Sequence, residues 1–117
     1  MSEGASDCIF CKIANGSIET KYVAEGEYVV AFNDIDPKAP VHVLIVPKAH
    51  IKSAQQLNTH HTGIWQEMLE IAQHVAETTG VSESGYRLVT NAGPDSGQEV
   101  EHLHVHLMGG RKLGSMG

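Results

Sequence analysis

"EHLHVHLMGG", residues 101–110, carries a histidine at every second position and ends on two glycines. A period of two is the period of a strand, whose alternate side chains share a face at roughly 3.3 Å rise per residue. His102, His104 and His106 are therefore expected to line one face of a final strand, with about 7 Å between neighbours. Three uses of such a stripe stay open from the pattern alone: a metal site, an attacking imidazole with helpers on either side, or a polar strand face. The last is costly, because three imidazoles in a row need partners if they are covered.

Working outward, "GYRLVTNAG" (85–93) reads as a strand entering a glycine turn, and "VHVLIVPK" (41–48) as a strong strand whose apolar run ends at Pro47. "KYVAEGEYVVAFNDI" (21–35) reads as a hairpin of Tyr22–Ala24 and Tyr28–Asn33 around a turn at 25–27. "DPKAP" (36–40) then interrupts it, since neither proline can donate to a central ladder. Residues 59–79 form the one long helix: Trp65, Met68, Leu69, Ala72, Val75, Ala76 and Thr79 recur at the helical period and Gly80 stops it. His60, His61 and His74 read as ordinary helix-surface residues. "CIFCKIANG" (8–16) has a short helical spacing closed by Asn15-Gly16.

Five strands without regular alternation of strand and helix predict an α+β fold. The expectation is a mostly antiparallel five-stranded sheet with one long helix and a short N-terminal helix. One sheet face lies under the long helix, and the other is open to a ligand. The whole chain, 1–117, is read as a single domain with a frayed start over 1–7.

A formal charge of −6 argues against a general nucleic-acid surface but not against a nucleotide, whose phosphate needs only local donors. No stretch of 18 apolar residues and no signal-peptide pattern occurs, so no membrane partner is expected and the compartment is read as the cytoplasm. Cys8 and Cys11, spaced C-x-x-C, fit reduced thiols, a redox pair, or half of a structural zinc site that needs two histidines from elsewhere.

If the stripe is catalytic, its centre must present a neutral imidazole to phosphorus, with the second ring nitrogen held to fix the tautomer. Donors for the phosphoryl oxygens must stand nearby. Asn91-Ala92-Gly93 and Gly97-Gln98-Glu99 offer amides and backbone N–H groups in the turn before the stripe, where glycine allows close approach to phosphate.

The triad spacing, together with "FNDIDPKAPVHVLIVPKAH" (32–50), "GYRLVTNAG" and "GQEVEHLHVHLMGGR" (97–111), resembles the histidine triad (HIT) family, in its branch of purine nucleoside phosphoramidases; the likeness runs from about residue 8 to 114. That resemblance implies a HIT-like fold and hydrolysis of a P–N bond in adenosine or guanosine 5'-phosphoramidates through a nucleotidyl-histidine. It implies the nucleophile at His104, leaving-group assistance and phosphate contact at His106, and an orienting role at His42. Asn91 and the Gly97, Gln98, Glu99, Val100 loop would meet the phosphate, Asp34 the ribose, and Ile9, Phe10, Ile13, Phe32 and Ile35 the base.

Glu99 departs from the serine of animal members, so its backbone N–H is the expected donor; Glu101 stands where an aromatic residue is common. The resemblance also implies a structural Zn2+ on Cys8, Cys11, His50 and His102, with no cofactor in the chemical step. It implies a purine nucleoside monophosphate or phosphoramidate as ligand and a homodimer built partly on Trp65 and Met68. Hydrolysis of dinucleoside polyphosphates or an adenylyl sulfate, and a nucleotide-binding regulatory or scaffold role, remain alternatives.

Overall fold

The computed structural model describes residues 7–117, so the frayed start expected over 1–7 lies, apart from Asp7, outside the described residues. Strands β1 (Tyr22–Glu25), β2 (Val29–Asn33), β3 (Val41–Pro47), β4 (Tyr86–Val89) and β5 (Val105–Gly109) make one sheet in the order β1-β2-β3-β5-β4. Every neighbouring pair is antiparallel. The helices are α1 (Ile9–Ala14), the long α2 (Thr62–Thr78) and a one-turn α3 (Val81–Ser84) that the sequence reading did not include. The α+β architecture expected from the pattern is the one observed.

Strand alternation sorts the core into two layers. Val29, Ala31, Val43, Ile45, Val105 and Leu107 face α2 and pack on its Met68, Ile71, Ala72 and Val75. Val30, Phe32, Leu44 and Val46 point the other way, where only the short α1 covers them with Phe10 and Ala14. Ile45 and Leu107 are fully buried, and truncating either to alanine costs about 2–5 kcal/mol by lost transfer energy and cavity. A 17-residue helix on one face and a six-residue helix on the other leave part of the second face open. That asymmetry creates room for a ligand.

Local chemistry fixes the element ends. The hairpin turn is tied to α2 by Glu67, whose carboxylate accepts from the N–H groups of Glu27 (3.2 Å) and Tyr28 (2.7 Å). A bulge between Tyr22 and Ala24 turns Tyr22 toward the open face, where its hydroxyl donates to the Ile13 carbonyl and pins α1. The long helix begins three residues after the expected start, because Asn58 caps a 3-10 turn at Thr59–His61 first.

One expectation needs correction. The last strand starts only at Val105, not at the beginning of the histidine stripe. Upstream, the His102 N–H donates to the Val100 carbonyl (2.9 Å) and the Leu103 N–H to the Ile51 carbonyl (2.6 Å), which draws the chain out of the ladder. His104 and His106 have ring centroids 5.0 Å apart, while His102 turns toward α1 and the 47–51 segment. The even stripe is thus bent in two.

Candidate active site and metal cluster

The proton positions around His106 follow from the backbone. A peptide N–H can only donate, so the Lys38 N–H, 3.0 Å from His42 Nδ1, makes that nitrogen an acceptor. The proton of neutral His42 then sits on Nε2, which lies 2.9 Å from His106 Nδ1 and donates to it. The proton of neutral His106 is left on its own Nε2, on a ring that lines the open cleft. Burial pushes His106 down to about 4, helped by the neighbouring His104 and His42 rings, so this chain of neutral imidazoles persists through neutral pH. Burial lowers His42 too, against the pull of the Asp34 carboxylate 3.5 Å from Nε2.

His104 is fixed by the same logic with the opposite sign. A carbonyl can only accept, so the His102 carbonyl, 2.7 Å away, holds a proton on His104 Nδ1. Nε2 keeps the ring's lone pair. Thr90 Oγ1 donates to the His104 carbonyl (2.8 Å), and the Phe10 ring meets the imidazole edge-on with centroids 5.0 Å apart. The arrangement sets a lone pair and an N–H donor on adjacent side chains of one cleft, which suits attack at a centre bearing negative oxygens.

The cleft has a volume of about 780 Å³. Ile9, Phe10, Ile13, Phe32 and Ile35 form its apolar part, and Asp34, Asn91, Gly97, Glu99 and Val100 border it with His42, His104 and His106. Phe10 and Phe32 stand edge to face at 5.9 Å, whereas Ile35 is fully exposed at the mouth. Gln98 does not line this cleft. Its Oε1 accepts from the Gly93 N–H (2.8 Å), and its Nε2 donates to the carbonyls of Lys52 (2.8 Å) and Val100 (3.0 Å), so it braces the loop from behind. Asn91 also braces the loop, donating from Nδ2 to the Ser96 carbonyl (2.8 Å). Glu101 points away and pairs with Lys52. Neither the Lys38 contact nor the Gln98 brace was read from the sequence; the only available hint was "DPKAP", whose prolines leave few N–H groups for His42 to meet.

Cys8, Cys11, His50 and His102 come together at the far end of the bent stripe, with donor atoms all within 4.8 Å of one another. Cys8 Sγ lies 3.2 Å from His102 Nδ1, and Cys11 Sγ lies 3.1 Å from His50 Nδ1 and 3.4 Å from His102 Nδ1. Tetrahedral zinc with ordinary bond lengths has sulfur–nitrogen edges of about 3.5 Å. His102 Nε2–H donates to the Pro47 carbonyl (2.8 Å), which leaves Nδ1 as a lone pair aimed at the thiols. Burial and the adjacent Cys8 raise Cys11 to about 11, and a divalent cation between the sulfurs would reverse that penalty. The donor set and its spacing fit a closed four-ligand metal site.

A second grouping, Asp34, His42 and His106, is equally compact, but His42 presents a protonated Nε2 to its neighbours. It suits proton placement rather than metal. Among the described residues no helix is long and apolar enough to cross a membrane.

An open antiparallel sheet with paired imidazoles on its uncovered face defines a histidine-centred ligand site of the triad kind. The HIT domain profile matches residues 15–113, and the chain belongs to the HIT family. It is 41% identical over 112 residues to the purine nucleoside phosphoramidase of Escherichia coli K12, covering 96% of this chain and 94% of that protein. A histidine triad protein from Clostridium difficile superposes with a TM-score of 0.91 at 41% identity, covering all of both chains. A HIT family hydrolase from Clostridium thermocellum superposes at 0.90 with 43% identity, covering 99% and 98%.

Proposed function

We propose that the protein is a purine nucleoside phosphoramidase. The observation that carries this reading is the pair of backbone-fixed imidazoles: His104 with a lone pair on Nε2, beside His106 with a proton on Nε2, in a cleft with an apolar end. The nucleoside base fits among Phe10, Phe32 and the isoleucines, the ribose hydroxyls meet Asp34, and the phosphate faces Asn91, the N–H groups of Glu99 and Val100 and the two imidazoles, the Gly97 and Gln98 N–H groups being spent on Pro94 and Gly93.

His104 Nε2 attacks the α-phosphorus in line, forming an N–P bond as the P–N bond to the leaving amine breaks. The amine takes the bond pair and a proton passed to it through the donor at His106 Nε2, directly or by a water held there. Water then attacks the nucleotidyl-histidine and gives up a proton that replaces the one passed to the amine at His106 Nε2, releasing the nucleoside monophosphate and returning the lone pair to His104. The Nδ1–H of His104, held by the His102 carbonyl, stabilises the positive charge that the ring carries in between.

Zn2+ on Cys8, Cys11, His50 and His102 would act as a closed crosslink between α1 and the sheet and supply no open position for chemistry. The free thiols of Cys8 and Cys11 fit a reducing compartment, the cytoplasm. A homodimer would cover the groove between α2 and edge strand β4, where Leu69 and Leu88 are each about two-fifths exposed beside Trp65. Met68, 1% exposed, is committed to the protomer's own core instead. Sedimentation equilibrium should give twice the 12.6 kDa chain mass, and a monomer at micromolar concentration would overturn the pairing.

The deciding experiment is side-by-side kinetics on adenosine 5'-phosphoramidate, a dinucleoside polyphosphate and adenylyl sulfate, with acid-quench trapping of the nucleotidyl-protein. Fastest turnover on the phosphoramidate with a trapped intermediate is expected. Preference for either other substrate would reassign the reaction, and tight nucleoside monophosphate binding with no intermediate would make the protein a binding module.

A further inference from the structure

The residues that follow the triad have no part in the reaction described above, yet they are tightly placed. Gly110 adopts φ +93°, and a side chain there would put Cβ 2.9 Å from Pro40 Cβ and 3.4 Å from the Val41 nitrogen. Only glycine lets the chain turn this close to Pro40. The turn delivers Arg111 across the 34–40 loop, where its Nη2 donates to the Lys38 carbonyl at 2.8 Å. Its Nη1 donates to the Lys112 carbonyl at 3.0 Å, which steadies the guanidinium over its own backbone.

The clamped residue is the one that sets the relay. Lys38 N–H is the donor to His42 Nδ1. The loop has few other anchors, since Pro37 and Pro40 have no N–H; the Asp36 N–H is used locally on Asp34 Oδ1, and the Lys38 ammonium is engaged with Asp36. The Lys38 carbonyl and the Lys38 N–H lie on the two peptides that flank its Cα, so holding the first restrains the residue that aims the second at the imidazole.

We propose that Arg111 is a positioning residue: by clamping the Lys38 carbonyl it keeps the Lys38 N–H on His42 Nδ1, and so keeps the protons of His42 and His106 on their Nε2 atoms. Without the clamp the loop relaxes and His42 samples the Nδ1–H form. His106 must then carry its proton on Nδ1, and its Nε2 turns a lone pair toward the phosphoryl group. Arg111 itself does not line the cleft, so substrate binding changes little. The groups facing His42 are Asp34, Asp36 and Lys38 from the loop and His106 from β5, and none of them is altered by changing Arg111.

The effect on turnover rests on the phosphoramidase reading, whereas the effect on the tautomer does not. The test is therefore made on R111A and R111K with two readouts, the ring 15N spectrum of His42 and the kcat and KM for adenosine 5'-phosphoramidate. The expected result is a single Nε2–H tautomer in the starting protein and a mixture in R111A, with kcat about tenfold lower and KM within about twofold. R111K, which keeps the charge without the planar fork, should fall between, and it carries the test if R111A fails to fold. An unchanged His42 tautomer in R111A, or in R111K where that variant carries the test, overturns the clamp whatever happens to the rate. A changed tautomer with unaltered kcat upholds the clamp and overturns the relay instead.

Discussion

The Cys8 cluster and the His42 cluster are built from similar parts at similar spacing, both with donor atoms within 4.8 Å, but the backbone prepares them for opposite uses. At His102 the rear nitrogen meets a carbonyl, Pro47, so the ring presents a lone pair to its neighbours. At His42 the rear nitrogen meets an N–H, Lys38, so the ring presents a proton. A lone pair beside two thiols receives a cation; a proton beside another imidazole is passed along. The type of backbone group behind the ring thus separates a cluster suited to a cation from one suited to proton placement.

The largest expected effect separates the two groups outright. His104→Ala should lower phosphoramidate turnover by roughly four orders of magnitude or more, because it removes the imidazole lone pair proposed to attack, and should leave zinc binding by the Cys8 cluster intact by elemental analysis. Loss of metal with the activity would mean that the two groups are not separable. Replacing the relay should be milder. His106→Asn and His42→Asn are each expected to reduce kcat by about 10²–10⁴, and the double variant should fall well short of the product of the two if they act as one unit. Multiplicative losses would break the relay.

On the metal side, zinc titration of the apo protein should saturate at one ion per chain, since in the second group His42 presents a proton where a ligand would need a lone pair. A second ion competing with nucleotide would refute the distinction. Cys8→Ala should abolish binding and lower the melting temperature by about 10 °C, the scale of a lost crosslink in a domain this size, while an unchanged melting curve would leave the cluster without a structural role.

The smallest effect is in acid. His106 and His42 titrate below their unfolded value, so between about pH 6.5 and pH 4 the unfolded chain binds more protons than the folded one. Stability should therefore fall as pH drops through that window. His106→Asn should show a shallower fall in melting temperature, and an identical slope would mean that another group carries it.

The fold was readable because its cues are local. Apolar runs along 29–32 and 43–46, the 3.6 period ending at Gly80, and prolines at 37, 40 and 47 each act through neighbouring residues. The bend at 101–104 escaped because it depends on Ile51, about fifty positions away, whose carbonyl takes the Leu103 N–H. In the site, side-chain types at period two were visible, and the resemblance attached roles to them. What decides their chemistry is carried by the carbonyls of Pro47 and His102 and by the N–H of Lys38. Peptide groups are the same at every position, so only the folded chain reveals which imidazole each one meets. Gln98 makes the same point, since its loop position says nothing about which way the amide faces.

The bridge between the two groups is the carbonyl of residue 102, which every amino acid possesses. Side chain 102 can change and the acceptor for His104 remains. A lineage that exchanged Cys8, Cys11 and His50 for residues that pack without a metal would give up the proposed crosslink and keep the tautomer of His104. Anchoring and chemistry, though two residues apart on one strand of chain, are heritable independently.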